Sequence, residues 1–117
     1  YMANPLACAV ANASIDLLLN SNWQEKVTRI SQQLREELAP CKEFSFVEEV
    51  RVLGAIGVVE LNDEVDTKRL MPLFIDQGVW IRPFGKIIYL MPPFIIESDQ
   101  LSRLTSSVLK AVSMLAK

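Results

Sequence analysis

An arginine and a tyrosine are the residues of this chain whose types and spacing suit them to act together. Arg82 and Tyr89 lie in a stretch, residues 78–93, that is rich in β-branched and aromatic residues. Gly85-Lys86 divides this stretch, and Gly followed by any residue is typical of a two-residue type II′ turn. The stretch therefore predicts a β-hairpin with the arginine on one strand and the tyrosine on the other. A guanidinium beside a phenol among large apolar groups is typical of a site that recognises an acid.

The register of the predicted hairpin decides which side chains share a face. Its strands are Val79–Phe84 and Ile87–Met91, and a two-residue turn pairs Arg82 with Tyr89. Because cross-strand partners share a face, one face is expected to carry six side chains: Trp80, Arg82, Phe84, Ile87, Tyr89 and Met91. The other face is purely apolar and is expected to lie in the core. Spacing alone leaves open the alternative that Arg82 only extends along its aromatic neighbours into solvent.

Composition and charge exclude several kinds of function. A chain of 117 residues, half of them apolar, predicts one domain with a core of its own. The net charge is −2 and no basic run occurs, so we expect no nucleic-acid partner. No apolar stretch is long enough to cross a membrane, and the start of the chain lacks the basic region of a signal peptide. Since Tyr1 precedes Met2, the chain is interpreted as an excised piece.

Several catalytic and metal sites are also excluded by residue type. The chain has no histidine, which excludes Ser-His-Asp and Cys-His dyads within it. Cys8 and Cys41 form no metal-binding motif, and with only two cysteines no structural zinc site is expected. We predict that both are free thiols of a reducing compartment.

Hydrophobic periodicity predicts the remaining elements and the fold class. The predicted order is α-α-β-β-α-β-β-α, and the elements outside the hairpin are helices at Leu6–Leu19, Trp23–Leu38, about 65–77 and from Ser98, and strands at Phe44–Leu53 and Ala55–Leu61. Asn4 is expected to cap the first helix, with Pro5 at its first helical position, and Ser98 is expected to cap the last helix. This order predicts an α+β two-layer sandwich with a mostly antiparallel sheet and helices on one face.

The first predicted helix lacks a clear polar face. Leu6–Leu19 is apolar nearly all round, and such helices are normally buried on several sides. The rest of this small chain is not large enough to cover it, which indicates that a partner surface is missing. The alternative is a central helix of this domain's own core.

Three stretches carry a resemblance that covers essentially the whole chain. Residues 2–9, 50–60 and 78–93, in this order, resemble the C-terminal portion of the class III pyridoxal-phosphate-dependent aminotransferases. The Gly-Val, Arg-Pro, Gly and Pro-Pro pattern of the last stretch is a feature of the class. The longer run from Val79 to Pro93 is similar to the branch of the class that acts in biotin synthesis.

The resemblance implies a fold, an activity and a setting. It implies that residues 1–117 are the small C-terminal domain of a fold type I pyridoxal-phosphate enzyme, with the start of its long connecting helix at 4–20. The implied partners are a missing large domain and the second subunit of a cytoplasmic homodimer. The implied reaction moves an amino group from S-adenosylmethionine to 8-amino-7-oxononanoate in biotin biosynthesis. The cofactor, pyridoxal 5′-phosphate, is expected in the intact parent and not on this piece.

The resemblance also assigns roles to single residues. Arg82 matches the family arginine that binds the substrate carboxylate, and Tyr89, its expected cross-strand neighbour, is assigned to the same site. The Schiff-base lysine of the family lies well upstream, and its phosphate-binding loop would end just before Tyr1. No lysine of this chain matches the Schiff-base position: Lys26, Lys42, Lys68, Lys86, Lys110 and Lys117. We therefore expect no catalytic, cofactor-binding or metal-binding residue here, and no activity of this piece alone.

A second interpretation comes from a different class of function. The chain could be a stand-alone α+β module that binds a small acid or a protein through the 79–91 hairpin. The apolar first helix favours the enzyme piece, because a free-standing module is expected to cover such a surface.

Overall fold

The computed structural model of the protein describes residues 2–116. Within this range it contains four α-helices, one 3₁₀-helix and three strands: α1 Pro5–Leu19, α2 Trp23–Leu38, the 3₁₀-helix Ala39–Glu43, β1 Val47–Leu53, β2 Ile56–Leu61, α3 Thr67–Asp76, β3 Ile87–Leu90 and α4 Ser98–Leu115. The bounds of α2 agree with those predicted, and α1 begins at Pro5 with Asn4 as its N-cap, as expected.

The three strands form one antiparallel sheet in the order β1-β2-β3. A tight turn at Gly54-Ala55 joins β1 to β2, so that Leu53 pairs with Ile56. Gly54 has φ +56°, a left-handed conformation that residues with a Cβ rarely adopt. The connection at Gly54 is thus a two-residue hairpin turn, and the irregularity in the β1–β2 ladder lies between Val47 and Glu49.

The core lies between one face of the sheet and the helices. Successive side chains of a strand point to opposite faces, and the inward positions of β2 and β3 are buried: Gly57, Val59, Leu61, Ile88 and Leu90. Helices α2, α3 and α4 contribute the largest fully buried side chains, among them Ile30, Leu34, Leu70, Phe74, Leu101 and Val108. The predicted two-layer α+β architecture is confirmed.

Gly57 lets α2 approach the sheet closely. A Cβ at this position would lie 2.9 Å from Leu38 Cδ1 and 3.1 Å from Leu34 Cδ2. Both leucines are fully buried on α2. The two leucines therefore occupy the space that a side chain at residue 57 would need, and this contact positions α2 against β2.

Two predictions about helix ends and strands are wrong. Glu97, rather than Ser98, is the N-cap of α4, and Gln100 Oε1 accepts a hydrogen bond from the Glu97 N–H at 3.1 Å. A capping box of this kind needs a residue with a long polar side chain three positions after the cap, and Gln100 supplies it for Glu97. Phe44 and Phe46 lie before β1 rather than within it, and their rings contact each other with centroids 5.5 Å apart.

The first strand of the predicted 79–91 hairpin is also absent. Among the described residues, only Phe84 of Val79–Phe84 pairs with β3, through a bridge to Ile87. The proline ring of Pro83 fixes φ near −65°, far from the value of about −140° in an antiparallel strand. The pairing with β3 therefore stops at Phe84 and does not reach Arg82. The predicted pairing of Arg82 with Tyr89 is therefore wrong, and β3 pairs with β2 instead.

A carboxylate on α2 joins the two longest helices of the core layer. Glu37 accepts hydrogen bonds from Ser102 Oγ at 2.6 Å, from Gln33 Nε2 at 3.0 Å and from Thr105 Oγ1. Burial of Glu37 by itself raises its pKa, but the three hydrogen bonds outweigh it, so the pKa of Glu37 is lowered from its usual value. The charged form of Glu37 is thus the form that stabilises the contact of α2 with α4.

We expect Glu37→Gln to lower the free energy of unfolding by about 1–2 kcal/mol near neutral pH. A carboxylate with a lowered folded pKa stabilises the fold above the pKa of the unfolded chain and loses this contribution as the pH falls through the folded pKa. The difference between wild type and variant should therefore shrink in acid. Urea unfolding at low protein concentration, followed by tryptophan fluorescence, measures it.

Glu36→Gln is the matched control, because the Glu36 side chain is exposed and, among residues 2–116, accepts a hydrogen bond only from Gln32 of its own helix. It should change the free energy of unfolding by less than about 0.5 kcal/mol. Equal effects of the two substitutions at every pH would contradict the role of Glu37.

Helix α1 buries none of its side chains. Asn4 caps it, since Asn4 Oδ1 accepts a hydrogen bond from Ala7 N at 3.1 Å, and Pro5 occupies the first turn. Its apolar side chains remain in solvent: Leu6 is 75% exposed, Leu17 75% and Leu19 70%. The alternative of a central helix in this domain's own core is wrong.

The exposed surface of α1 predicts self-association of the 117-residue chain on its own. Contiguous apolar patches of this kind mark interaction sites, so the fraction of dimers and larger species should rise with concentration in light scattering. Replacing Leu6 and Leu17 by Gln should reduce it. A chain that stays monomeric at high concentration would show that α1 needs no partner.

Candidate functional site

The predicted turn at the centre of the candidate site is confirmed. The N–H of Phe84 donates to the Ile87 carbonyl and the N–H of Ile87 to the Phe84 carbonyl, both at 2.9 Å. Gly85 has φ +54°, whereas Lys86 does not have a positive φ. A positive φ at the first central residue alone distinguishes type II′ from type I′. The turn therefore has the type that the sequence indicates.

Side chains still alternate between core and solvent along residues 79–91, although most of residues 79–83 form no strand. The inward group is buried: Val79, Ile81, Pro83, Ile88 and Leu90. The outward group is exposed or half-buried: Trp80, Arg82, Phe84, Ile87, Tyr89 and Met91. This is the division that the sequence predicts. We call the second set the outer face of residues 80–91.

Arg82 is exposed on the outer face of residues 80–91 and takes part in none of the hydrogen bonds or ion pairs found among residues 2–116. Large apolar side chains flank it, since Trp80 is 74% exposed and Phe84 76% exposed. A guanidinium carries five N–H donors in a planar fork that matches the two oxygens of a carboxylate. The geometry therefore leaves the donors of Arg82 free for an anionic ligand.

Tyr89 is placed by the sheet rather than by Arg82. It pairs with Val58 of β2, which in turn pairs with Arg51 of β1. Tyr89 and Arg51 therefore lie in one row on the solvent side of the sheet. No hydrogen bond joins Tyr89 to Arg82 in the part of the chain that the structure describes. Arg82 and Tyr89 both lie on the exposed side of the domain, but the hairpin pairing that was expected to bring them together does not form.

A second cation on the same side of the sheet was missed by sequence reasoning. Arg51 Nη1 lies 2.9 Å from Glu49 Oε2 and 2.5 Å from Glu60 Oε2. The hydrogen bond with Glu60 is the main cause that raises the pKa of Arg51 further above its usual range. Among the described residues, the guanidinium of Arg51 is thus already paired with two carboxylates of the domain, in contrast to that of Arg82. The register that pairs Glu49 with Glu60 was the signal that could have revealed the cluster.

The cysteines are free thiols, as predicted for this pair. Cys8 is exposed on α1 and Cys41 is buried. Burial raises the pKa of the Cys41 thiol to about 11, which keeps it protonated and unreactive near neutral pH. Cys41 therefore acts as a small apolar core residue.

The described residues do not fit a pyridoxal phosphate site. Such a site needs a lysine within a pocket to bond the cofactor. None of the lysines between residues 2 and 116 is buried. The Nζ of Lys86, in the turn, donates to the Asn62 carbonyl at 2.6 Å. We therefore assign no lysine of the described range to cofactor binding.

Residues 2–116 contain neither a membrane-spanning helix nor a cluster of metal-binding side chains. None of the helices in this range combines the length and the apolar character needed to span a membrane. No group of three or more histidine, cysteine, aspartate or glutamate side chains in this range is arranged to hold a metal ion.

Comparison with protein families identifies the family to which the chain belongs. The family model described as Aminotransferase class-III matches residues 1–112. The chain belongs to the class-III aminotransferase family. The predicted resemblance is thus confirmed at the level of the family.

Relatives narrow the position of the chain within the class-III aminotransferases. It is 46% identical over 113 residues to an adenosylmethionine-8-amino-7-oxononanoate aminotransferase of Buchnera aphidicola, a match that covers 97% of this chain and 26% of the relative. It is 44% identical over 112 residues to the enzyme of the same name from Corynebacterium glutamicum, covering 96% and 26%. The chain therefore spans about a quarter of the length of the curated relatives it matches.

Solved structures confirm the fold of this class-III aminotransferase domain. An (S)-enantioselective omega-transaminase from Thermomicrobium roseum superposes with a TM-score of 0.85 at 26% identity, covering 97% of this chain and 28% of that one. The three-stranded sheet and its helix layer thus occur as one part of a larger aminotransferase.

Proposed function

We propose that this chain is the C-terminal domain of an enzyme that transfers an amino group from S-adenosylmethionine to 8-amino-7-oxononanoate, giving 7,8-diaminononanoate in biotin biosynthesis. The observation that carries the proposal is the 46% identity over 97% of the chain to a relative with that name. The family match over residues 1–112 favours this function over a stand-alone module that binds an acid or a protein.

In this proposal the domain binds the carboxylate of the substrate. Arg82 offers a planar pair of donors that no other described side chain occupies, and its neighbours Trp80 and Phe84 are apolar. A carboxylate can accept two parallel charge-assisted hydrogen bonds from such a group. Tyr89, half-buried on β3, adds a phenolic donor at the edge of the same surface.

The remainder of the enzyme supplies the covering surface and the cofactor. Residues 4–20 begin the connecting helix, and the uncovered apolar side chains of α1 support contact with a large domain or with the second subunit of a homodimer in the cytoplasm. Pyridoxal phosphate supplies the electron sink for amino transfer when bound. Residues outside this chain hold it, because the described lysines lie at or near the surface.

The test is the reaction of the full-length protein. Purified enzyme loaded with pyridoxal phosphate is assayed with 8-amino-7-oxononanoate as acceptor and with S-adenosylmethionine, ornithine or acetylornithine as donor. We expect 7,8-diaminononanoate to form with S-adenosylmethionine and the two other donors to support much slower reaction. Preference for ornithine or acetylornithine, with no transfer to the oxo acid, would contradict the proposed substrates and leave only the family assignment.

A further inference from the structure

The segment that carries Arg82 lacks the support that a strand would give it. Among residues 79–83, Val79 donates its N–H to the Phe74 carbonyl at 3.0 Å, and the next backbone tie to the rest of the domain is the Phe84–Ile87 bridge. Between these points the backbone of Arg82 has no ladder bond within the described structure. The buried side chains of Ile81 and Pro83 hold the segment on either side of Arg82, and the remaining support of its backbone comes from the two ends of the segment.

At the turn end, the chain is fixed to the segment that follows β2. Lys86 Nζ donates to the Asn62 carbonyl at 2.6 Å. Two backbone hydrogen bonds of 2.8 Å are donated in the opposite direction, by Leu61 N to the Lys86 carbonyl and by Val65 N to the Gly85 carbonyl. Lys86 supplies a side-chain tie of this turn to the sheet.

At the helix end, a second cation holds the point where the chain leaves α3. Arg103 Nη2, from α4, donates to the carbonyl of Gln77, the C-cap of α3, at 3.2 Å. A Cβ on Gly78 would lie 2.4 Å from the same nitrogen, so the guanidinium lies directly over the glycine. Gly78 has φ +71°, which suits the residue after a helix C-cap. A cation here also interacts favourably with the negative, C-terminal end of the α3 dipole.

We propose that Lys86 and Arg103 are positioning residues that hold the Arg82 segment from its two ends and so orient the guanidinium of Arg82 for the substrate carboxylate. The inference rests on the proposed function. Each cation binds a backbone carbonyl and neither touches the carboxylate itself. A binding group must be held within a fraction of an ångström of its productive geometry, so loosening either end weakens recognition of the carboxylate.

The test compares two substrates of the full-length enzyme that differ only in charge at one end. Specificity constants are measured for 8-amino-7-oxononanoate and for its methyl ester, which lacks the anionic group that Arg82 recognises. Lys86→Met and Arg103→Met keep a long side chain but remove the donors. We expect the preference for the free acid over the ester to fall about three- to tenfold in each variant. The specificity constant for the ester itself should change less than about twofold. If Lys86 and Arg103 had a merely structural role, the specificity constants for the acid and the ester would fall together.

Controls separate the two proposals. Lys86→Arg keeps a donor at the turn and should restore most of the preference for the acid. Lys110→Met, at an exposed position of α4, should leave the preference unchanged. Thermal unfolding checks that each variant is folded, and if Arg103→Met is not, the surface variant Lys86→Met decides alone.

An unchanged preference in Lys86→Met, an equal loss for acid and ester, or no rescue by Lys86→Arg would each overturn the positioning role. If Arg82→Ala still removes the preference in that case, the proposed function stands without it. If Arg82→Ala also leaves the preference unchanged, the proposed carboxylate-binding role of Arg82 is wrong, whereas the proposed reaction is tested separately by the assay with the three donors.

Discussion

The Arg82→Ala substitution in the full-length enzyme is expected to lower the specificity constant for 8-amino-7-oxononanoate by about ten- to a hundred-fold. A hydrogen bond to a charged group contributes about 1.5–3 kcal/mol, and this loss converts to a change of that size. The side chain is exposed and has no partner among the described residues, so its removal should leave the fold of the domain intact. Steady-state kinetics with both substrates measures the effect.

The surroundings of Arg82 set the size of this effect. Trp80, Phe84 and Met91 are each more than half exposed in this domain. Trp80 and Phe84 flank the arginine along the chain, and Met91 belongs to the same outer face of residues 80–91. Once the rest of the enzyme encloses them, they would lower the local dielectric constant and strengthen the attraction between the guanidinium and a carboxylate. Arg82→Lys keeps the charge but loses the planar fork, so it should restore only part of the specificity constant.

Arg35→Ala provides the matched control, because Arg35 is exposed on α2 and no role in the site is proposed for it. It should not change the specificity constant for the oxo acid, and none of the three variants should change the affinity for pyridoxal phosphate. Wild-type specificity constants in both Arg82→Ala and Arg82→Lys would mean that Arg82 only extends into solvent along its aromatic neighbours.

The 117-residue chain on its own is expected to show no transaminase activity and no stoichiometric bond to pyridoxal phosphate. The described lysines are all exposed or half-buried, so none is enclosed as a lysine bonded to the cofactor is expected to be. Absorbance titration with pyridoxal phosphate, followed by borohydride reduction and peptide mapping, measures where the cofactor bonds.

Scattered, substoichiometric adducts on surface lysines are the expected pattern in that experiment. The full-length enzyme, treated in parallel, should give one adduct per chain at a lysine outside these 117 residues. A single stoichiometric adduct on the isolated chain, together with amino transfer, would show that the domain carries catalytic machinery of its own.

Local sequence signals predicted much of the fold. The Asn4-Pro5 pair indicated the start of α1, and the periodic stripe of α2 indicated its bounds because that pattern is set by one helix face. The Gly85-Lys86 pair indicated the type of the turn for a similar reason, since only the two central residues decide it. Burial along residues 79–91 also followed the pattern, because alternation needs only an extended backbone.

Tertiary contacts explain what the sequence did not reveal. The pairing of Arg82 with Tyr89 failed because the ladder stops at the Phe84–Ile87 bridge, next to Pro83, whose fixed φ departs from that of an antiparallel strand. The hydrogen bonds from Lys86 to the Asn62 carbonyl and from Arg103 to the Gln77 carbonyl join residues far apart in the chain. No local pattern specifies such contacts, so the anchors of the candidate site became visible only in the folded domain.

A crystal structure of the full-length enzyme with 8-amino-7-oxononanoate bound is the measurement that tests the central claim most directly. The claim predicts that the substrate carboxylate lies against Arg82, with two parallel N–H···O hydrogen bonds of about 2.7–2.9 Å, and with Tyr89 lining the same site. A carboxylate bound to another cation, with Arg82 still free in solvent, would contradict it.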